Sequence, residues 1–263
     1  MDLKLKDRVA LVAGSSRGLG AAIAELLSAE GAKVAINGRN EAKLSEKARS
    51  IIAGTGNRVL AVAGDVADPS VPQRMVDETI REFGALDILI TNAGGPPRGE
   101  FVTLDDSAWQ KAYESLFMAS VRLIRAAMPY LEKSDAASVL TITSYAVKQP
   151  IPNLILSNSI RAATVGLTKT LALELGGKGI RFNSILPGWT TTERVEMLMT
   201  SRAEQNHTSI EDEYHKEAAE SSLKRMATPA EFANVAVFLV SPAASYMTGA
   251  MIPVDGGTVK GLL

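Results

Sequence analysis

The sequence predicts a doubly wound α/β domain: a parallel sheet of seven strands with helices on both faces. Three observations carry that expectation. Short apolar runs alternate with longer amphipathic segments along the chain. Several of the runs are apolar without in–out alternation, as strands are when both faces of a parallel sheet are covered. The first run ends in a glycine-rich turn that opens directly into a helical stretch.

Taken in order, strands are expected at residues 9–13, 33–36, 59–62, 86–90, 138–142, 181–186 and 251–254. Helices are expected at 19–30, 41–53, 71–83, 107–131, 157–176 and 229–240. Gly31 and Gly84 follow helices and fit C-terminal stops, where a left-handed residue is wanted. The stretch 190–223 is polar and charged and breaks the rhythm. It reads as an irregular, mobile, lid-like insertion, because long irregular segments in compact domains are usually functional. No linker tract, low-complexity run or repeat divides the chain, so residues 1–263 are expected to form one domain.

A chain of this length buries roughly three-quarters of its unfolded surface and needs no staples. Its 28 basic and 29 acidic side chains give a net charge of −1, which offers no field for nucleic acid or an anionic membrane. Cysteine is absent and only His207 and His215 supply imidazole, so no metal-ligating set is expected. Both histidines fall in the polar stretch and read as solvated. No stretch reaches the ~20 apolar residues of a membrane span, and the charged N-terminus does not read as a signal peptide. The expectation is a cytoplasmic protein with a small-molecule partner.

The first strand runs into Ala13-Gly14-Ser15-Ser16-Arg17-Gly18-Leu19-Gly20. Glycine there lets backbone approach a pyrophosphate and lets helix and strand pack closely, while the helix N-terminus offers free N–H groups and a positive dipole end. A tight turn without a ligand is the plain alternative; the strand–turn–helix context favours the phosphate reading.

The spacing G-x-x-x-G-x-G resembles that of the short-chain dehydrogenase/reductase family, and the resemblance continues along nearly the whole chain. Asp65-Val66 ends the third strand, where the family holds the adenine ring, and Asn92-Ala93-Gly94 ends the fourth. Pro187-Gly188 ends the sixth strand, with Thr190 and Thr192 following where the family meets the nicotinamide amide. Val254-Asp255-Gly256-Gly257 closes the last strand. The resemblance, nearest to 3-oxoacyl carrier-protein reductases, implies a Rossmann fold and a nicotinamide cofactor.

The choice of cofactor turns on the adenosine ribose. Where NAD enzymes place a carboxylate after strand two, this chain has Gly38, followed by Arg39. Arg17, inside the glycine loop, is the second base that NADP-preferring relatives use. Guanidinium groups suit a 2′-phosphate, so NADP(H) is expected.

The catalytic set departs from the family pattern. Ser144 stands at the serine position. The tyrosine and lysine positions hold Ser157 and Arg161, in Ser157-Asn158-Ser159-Ile160-Arg161-Ala162-Ala163, and the asparagine position holds Ser115. An alkyl hydroxyl (pKa ~15.7, as for water) in place of a phenol (about 10) costs on the order of 7 kcal/mol in proton transfer. Two routes are open: Tyr145 brings a phenol in from the loop after strand five, or Ser144 and Ser157 pass a proton through water with Arg161 stabilising the charge. Two functions are therefore weighed. One is an NADP(H)-dependent oxidoreductase acting on a carbonyl or hydroxyl substrate; the other is an NADP(H)-binding sensor or assembly partner without turnover. The resemblance also implies a homodimer or homotetramer.

Overall fold

A computed structural model describes residues 1–262. The strands are β1 (Val9–Val12), β2 (Lys33–Gly38), β3 (Val59–Ala63), β4 (Ile88–Thr91), β5 (Ser138–Ile142), β6 (Arg181–Pro187) and β7 (Met251–Val254). They form one sheet in the order β3-β2-β1-β4-β5-β6-β7, and every neighbouring pair is parallel. The chain winds outward one way from β1 and then the other way from β4. The crevice beyond the ends of β1 and β4 is the place where such sheets receive ligands.

The helices are α1 (Gly18–Ala29), α2 (Glu41–Thr55), α3 (Val71–Phe83), α4 (Asp106–Tyr113), α5 (Ala119–Leu131), α6 (Ile155–Leu175), α7 (Glu193–Asn206), α8 (Ile210–Glu220) and α9 (Pro229–Val240). On one face of the sheet Ile23, Leu27, Leu44, Phe232 and Val237 from α1, α2 and α9 close over Val12, Ile36 and Ile90. On the other, Met75, Leu123, Ala127 and Ala172 from α3, α5 and α6 close over Leu11, Leu89 and Val139. The central strands β1, β4 and β5 are buried at every position, which is why their sequences carry no alternation. Gly84 ends α3 at φ 79°, and Gly31 follows α1 at φ 87°.

Two expectations change. The helix expected at 107–131 is interrupted: Glu114–Met118 forms a π-helical turn between α4 and α5. The polar stretch 190–223 is not irregular but contains α7 and α8. Thr192 caps α7 by accepting from the Val195 amide, and Ser209 with Asp212 forms a reciprocal capping box on α8. Glu213, only 3% exposed, accepts from Asn206, Thr208 and Lys216 and closes the corner between the two helices. Polar side chains here build helix ends and ion pairs, so a low apolar content does not make the segment irregular.

Candidate functional site

The glycine loop is held in place by two asparagines. Asn92 Nδ2 donates to the Gly14 carbonyl at 3.0 Å, and Asn37 Oδ1 accepts from the Gly14 amide at 3.3 Å. Gly14 adopts φ +57°, and a Cβ on it would lie 2.9 Å from the Asn92 carbonyl oxygen. A Cβ on Gly20 would lie 2.5 Å from the Gly14 carbonyl oxygen, so helix α1 can begin this close to the turn only as glycine. Helix α1 has no capping side chain and no acid in its first turn, whereas α2, α4, α7, α8 and α9 are each capped by a side chain. The N–H groups of its first turn therefore face the crevice without a protein side-chain acceptor, which suits a pyrophosphate. Leu19 packs into the core from that turn, and Thr192, at the base of α7, lies 3.7 Å from the Cβ position of Gly18.

Beside this loop, Arg39 is exposed and sits 3.8 Å from Asp65, while Arg17 is 3.3 Å from Glu193. Both pairs are solvent-facing and weak enough to be exchanged for a phosphate. Gly38 has a second reason to be glycine: a Cβ there would meet Ser16 Cβ and Oγ at 2.8 Å. Val66 is buried next to Asp65. Ala93 joins the core face, and Gly94 and Gly95 run beneath Arg194, whose Nη1 donates to the Gly95 carbonyl at 3.2 Å. Gly188 donates its amide to Val254 and would collide with Asp255 if it carried a Cβ. The hydroxyl of buried Thr190 donates to the Gly188 carbonyl.

On the other side of the crevice, Ser144 follows β5 and its Oγ accepts from the Ala146 amide at 3.1 Å. Ser157 and Arg161 lie one turn apart on α6. Arg161 Nε donates to Ser157 Oγ at 3.2 Å, and its Nη1 donates to the carbonyls of Ile142 at 3.1 Å and Thr143 at 3.0 Å. Burial, and then the charge of Arg194, push its guanidinium down to about 10. Ser115 falls in the π-helical turn and donates to the Ala112 carbonyl of its own helix at 3.3 Å. In the same turn the Leu116 carbonyl accepts from Ser120 Oγ and Thr164 Oγ1, each at 3.3 Å.

The structure thus brings Ser144, Ser157 and Arg161 to the end of β5, whereas the Tyr145 side chain goes elsewhere. Its ring is 4% exposed, and burial followed by the Glu220 charge pushes the phenol up to about 12. The Trp189 indole lies beside it, outside hydrogen-bond geometry, with Nε1 buried and unpartnered. Arg202 stacks over the Trp189 ring at 5.4 Å and pairs with Glu217. His207 and His215 are both exposed on the α7–α8 pair.

Residues the sequence reading passed over complete the site. Asn37 is buried and also donates to the carbonyls of Val62 and Gly64, bracing β2, β3 and the glycine loop together; a polar residue ending an apolar strand was its signal. Arg98, on the loop after β4, and Arg194 and Arg202, both on α7, had no local signal.

These features define a dinucleotide-binding Rossmann protein with a glycine loop, an Asn-Ala-Gly strand end and a serine beyond β5. The chain belongs to the short-chain dehydrogenase/reductase family. The matching family model, described as enoyl-(acyl carrier protein) reductase, spans residues 13–259. The chain is 32% identical to the uncharacterized oxidoreductase YvrD of Bacillus subtilis, covering all of both chains. It is 32% identical to dehydrogenase/reductase SDR family member 4 of Sus scrofa, over 98% of this chain and 89% of that one. Its fold matches the L-sorbose reductase of Gluconobacter frateurii, complexed with NADPH and L-sorbose, at TM-score 0.96 and 36% identity over the whole of both chains.

Proposed function

We propose that the chain is an NADP(H)-dependent oxidoreductase that interconverts a carbonyl and its alcohol using a serine pair where relatives of the family use a phenol. The observation that carries this is the hydrogen bond from Arg161 Nε to Ser157 Oγ. As the Ser157 oxygen accepts from a guanidinium, its own proton stays free to donate, and negative charge developing on that oxygen is stabilised. Ser144, beyond the end of β5, orients the carbonyl. Arg17 and Arg39 hold the 2′-phosphate, Gly14, Ser16, Gly18, Leu19 and Gly20 wrap the pyrophosphate with the α1 N-terminus, and Asp65 with Val66 flanks the adenine. Asn92, Ala93 and Gly94 line the ribose, and Pro187, Gly188, Thr190 and Thr192 face the nicotinamide. NADP(H) supplies the hydride. Helices α7 and α8 cover the substrate.

The NADPH-bound relative of the same fold supports this cofactor, and the exposed Arg39–Asp65 and Arg17–Glu193 pairs fit it on charge. The same reading includes a homodimer or homotetramer in the cytoplasm. Leu173 on α6 is 77% exposed and Tyr246 before β7 is fully exposed, which suits further burial between subunits. Among the described residues no helix is long and apolar enough to cross a membrane.

The second reading, NADP(H) binding without turnover, is favoured by the weak acidity of a serine hydroxyl. Both are tested by oxidation of NADPH against a panel of ketones, ketoses and oxo acids, with cofactor affinity measured separately. Turnover that falls roughly 100-fold or more in Ser157→Ala, with NADPH affinity kept, supports the serine route. An equal fall in Tyr145→Phe, with Ser157→Ala unaffected, moves the donor to Tyr145. Tight NADPH binding with no turnover of any member supports the second reading.

A further inference from the structure

We propose that the substrate carries an oxyanion, a carboxylate or a phosphate ester, held by Arg98 together with Arg194 at the mouth of the crevice. The proposal rests on the oxidoreductase reading and names the chemical class of its substrate.

Most arginines of this chain have an evident partner. Arg17, Arg39, Arg202 and Arg225 pair with Glu193, Asp65, Glu217 and Glu231. Half-buried Arg181, which has no carboxylate, is satisfied by the carbonyls of Leu239, Val240, Ser241, Ala244 and Met247 at and beyond the end of helix α9. The unpaired Arg49, Arg81 and Arg125 are exposed to water. Arg98 fits none of these cases, and Arg194, though exposed, is turned in over the loop that carries Arg98. Among the described residues neither has a carboxylate within 4.0 Å, Arg194 has one carbonyl acceptor, and half-buried Arg98 has no hydrogen-bond acceptor at all. Five donors per guanidinium are left almost unused at a place where water is partly excluded.

Position assigns Arg98 to the substrate side, with Arg194 reaching its loop from the head of α7 next to Glu193, the partner of Arg17. Arg98 precedes Gly99, whose amide donates to the Asn153 carbonyl at 3.0 Å and whose strand-like bridge to Leu154 fixes the loop against the start of α6. That start carries Ser157. Arg98 therefore belongs to the Ser157 wall, across the crevice from the Arg17 and Arg39 phosphate pair. Arg194 donates to the carbonyl of Gly95, so the loop that carries Arg98 faces the start of α7, and the charge of Arg98 bears on both Arg194 and Arg202 of that helix. Burial lowers the pKa of Arg98, and burial together with Arg17 and Arg98 lowers that of Arg194. Two like charges converge here with Arg161 behind them, and neither has a carboxylate within 4.0 Å. A bound oxyanion would relieve the repulsion, and it would draw Arg194, the first arginine of α7, and Arg98, on the facing loop, toward one group.

The test compares matched carbonyl pairs with NADPH: a 2-oxo acid against its methyl ester, and a ketose phosphate against the free ketose. The expected result is at least a tenfold higher kcat/KM for the charged member of one pair, which also separates carboxylate from phosphate. In Arg98→Gln that ratio should fall to within about threefold of one. Arg125→Gln, an exposed arginine remote from the crevice, is the control that keeps it. A second arm does not need turnover. Inorganic phosphate and oxalate are titrated into the NADPH complex by calorimetry, and binding of either that is weakened tenfold in Arg98→Gln supports the site. Neutral members preferred by an enzyme that turns over, or no anion binding to the NADPH complex, overturns the proposal. Anion binding without turnover of any carbonyl retains the site and refutes the oxidoreductase reading instead.

Discussion

Arg161 and Ser157 lie one turn apart on α6, and a hydrogen bond of 3.2 Å from the guanidinium Nε to the serine Oγ joins them. The pair keeps the four-residue spacing at which the family resemblance expects a tyrosine and a lysine. It is anchored to the sheet because the same guanidinium also bonds the carbonyls of Ile142 and Thr143. The Ser157 hydroxyl is therefore fixed relative to β5 through the Arg161 guanidinium.

Restoring the family pair should raise carbonyl reduction. In Ser157→Tyr with Arg161→Lys, a phenol beside an ammonium becomes the proton donor, and kcat is expected to rise by roughly tenfold or more. Single-turnover rates with NADPH at saturating carbonyl measure it. A folded double variant that binds NADPH and is no faster than the parent contradicts the proton-transfer argument.

Asp65 competes with a 2′-phosphate for Arg39 across 3.8 Å. Asp65→Asn should release that arginine and tighten NADPH binding by about two- to fivefold, in keeping with the small worth of an exposed pair. NADH binding should change much less. Fluorescence titration of both cofactors decides it, and a loss of NADPH affinity would assign Asp65 a direct contact instead.

An acid introduced at Gly38 will not by itself convert the cofactor preference to NAD. The Cβ it brings would sit 2.8 Å from Ser16 Cβ and Oγ, so Gly38→Asp should destabilise the fold by about 1–3 kcal/mol through overpacking. Adding Ser16→Gly should recover most of that loss and only then favour NADH. Urea unfolding of the single and double variants measures the cost, and equal stability of all three proteins would refute it.

Acid should loosen the α7–α8 corner. The Lys216 ammonium, followed by the hydrogen bonds from Thr208 and Asn206, holds the Glu213 carboxyl down at about 2 against an ordinary 4.5. A carboxyl with a lowered folded pKa stabilises the fold above its ordinary value, and that contribution is lost as pH falls from about 4.5 toward about 2. Glu231, beside Arg225, titrates in the same window, so the readout must be local. Amide exchange in residues 206–216 should accelerate on acidification, and Glu213→Gln should show the faster exchange already at neutral pH. Protection of that segment unchanged across the window would speak against the corner depending on this carboxylate.

What the sequence disclosed follows from how local each signal is. Strands buried on both faces, the glycine turn and the Gly84 stop are written in contiguous residues, and β5, α3, α9 and β7 fall where expected. The capping box from Ser209 to Asp212 was equally local, yet the polar surface around it hid two helices. The π-helical turn leaves no mark on apolar spacing, so α4 and α5 read as one. Arg98 and Arg194 are 96 positions apart by their numbering and meet only because β4 and β6 deliver their loops to the same crevice. The positions of Ser144, Ser157 and Arg161 were legible because their spacing survives in the sequence. The bond between the last two, and the turn of Tyr145 toward Trp189, depended on packing.

The π-helical turn at Glu114–Met118 also governs phase. A straight α-helix advances about 100° per residue, so one surplus residue in a turn rotates everything downstream by about that angle relative to everything upstream. On a single ideal axis Ala112 and the stripe Ala119, Leu123 and Ala127 would share one face, and the spare residue turns that stripe away from the direction Ala112 takes. Helix α4 therefore packs on α6, while α5 packs on α3 and the sheet. Deleting one residue here would do more than shorten the segment: it would swing that stripe off the sheet and withdraw the Leu116 carbonyl from Thr164 of α6.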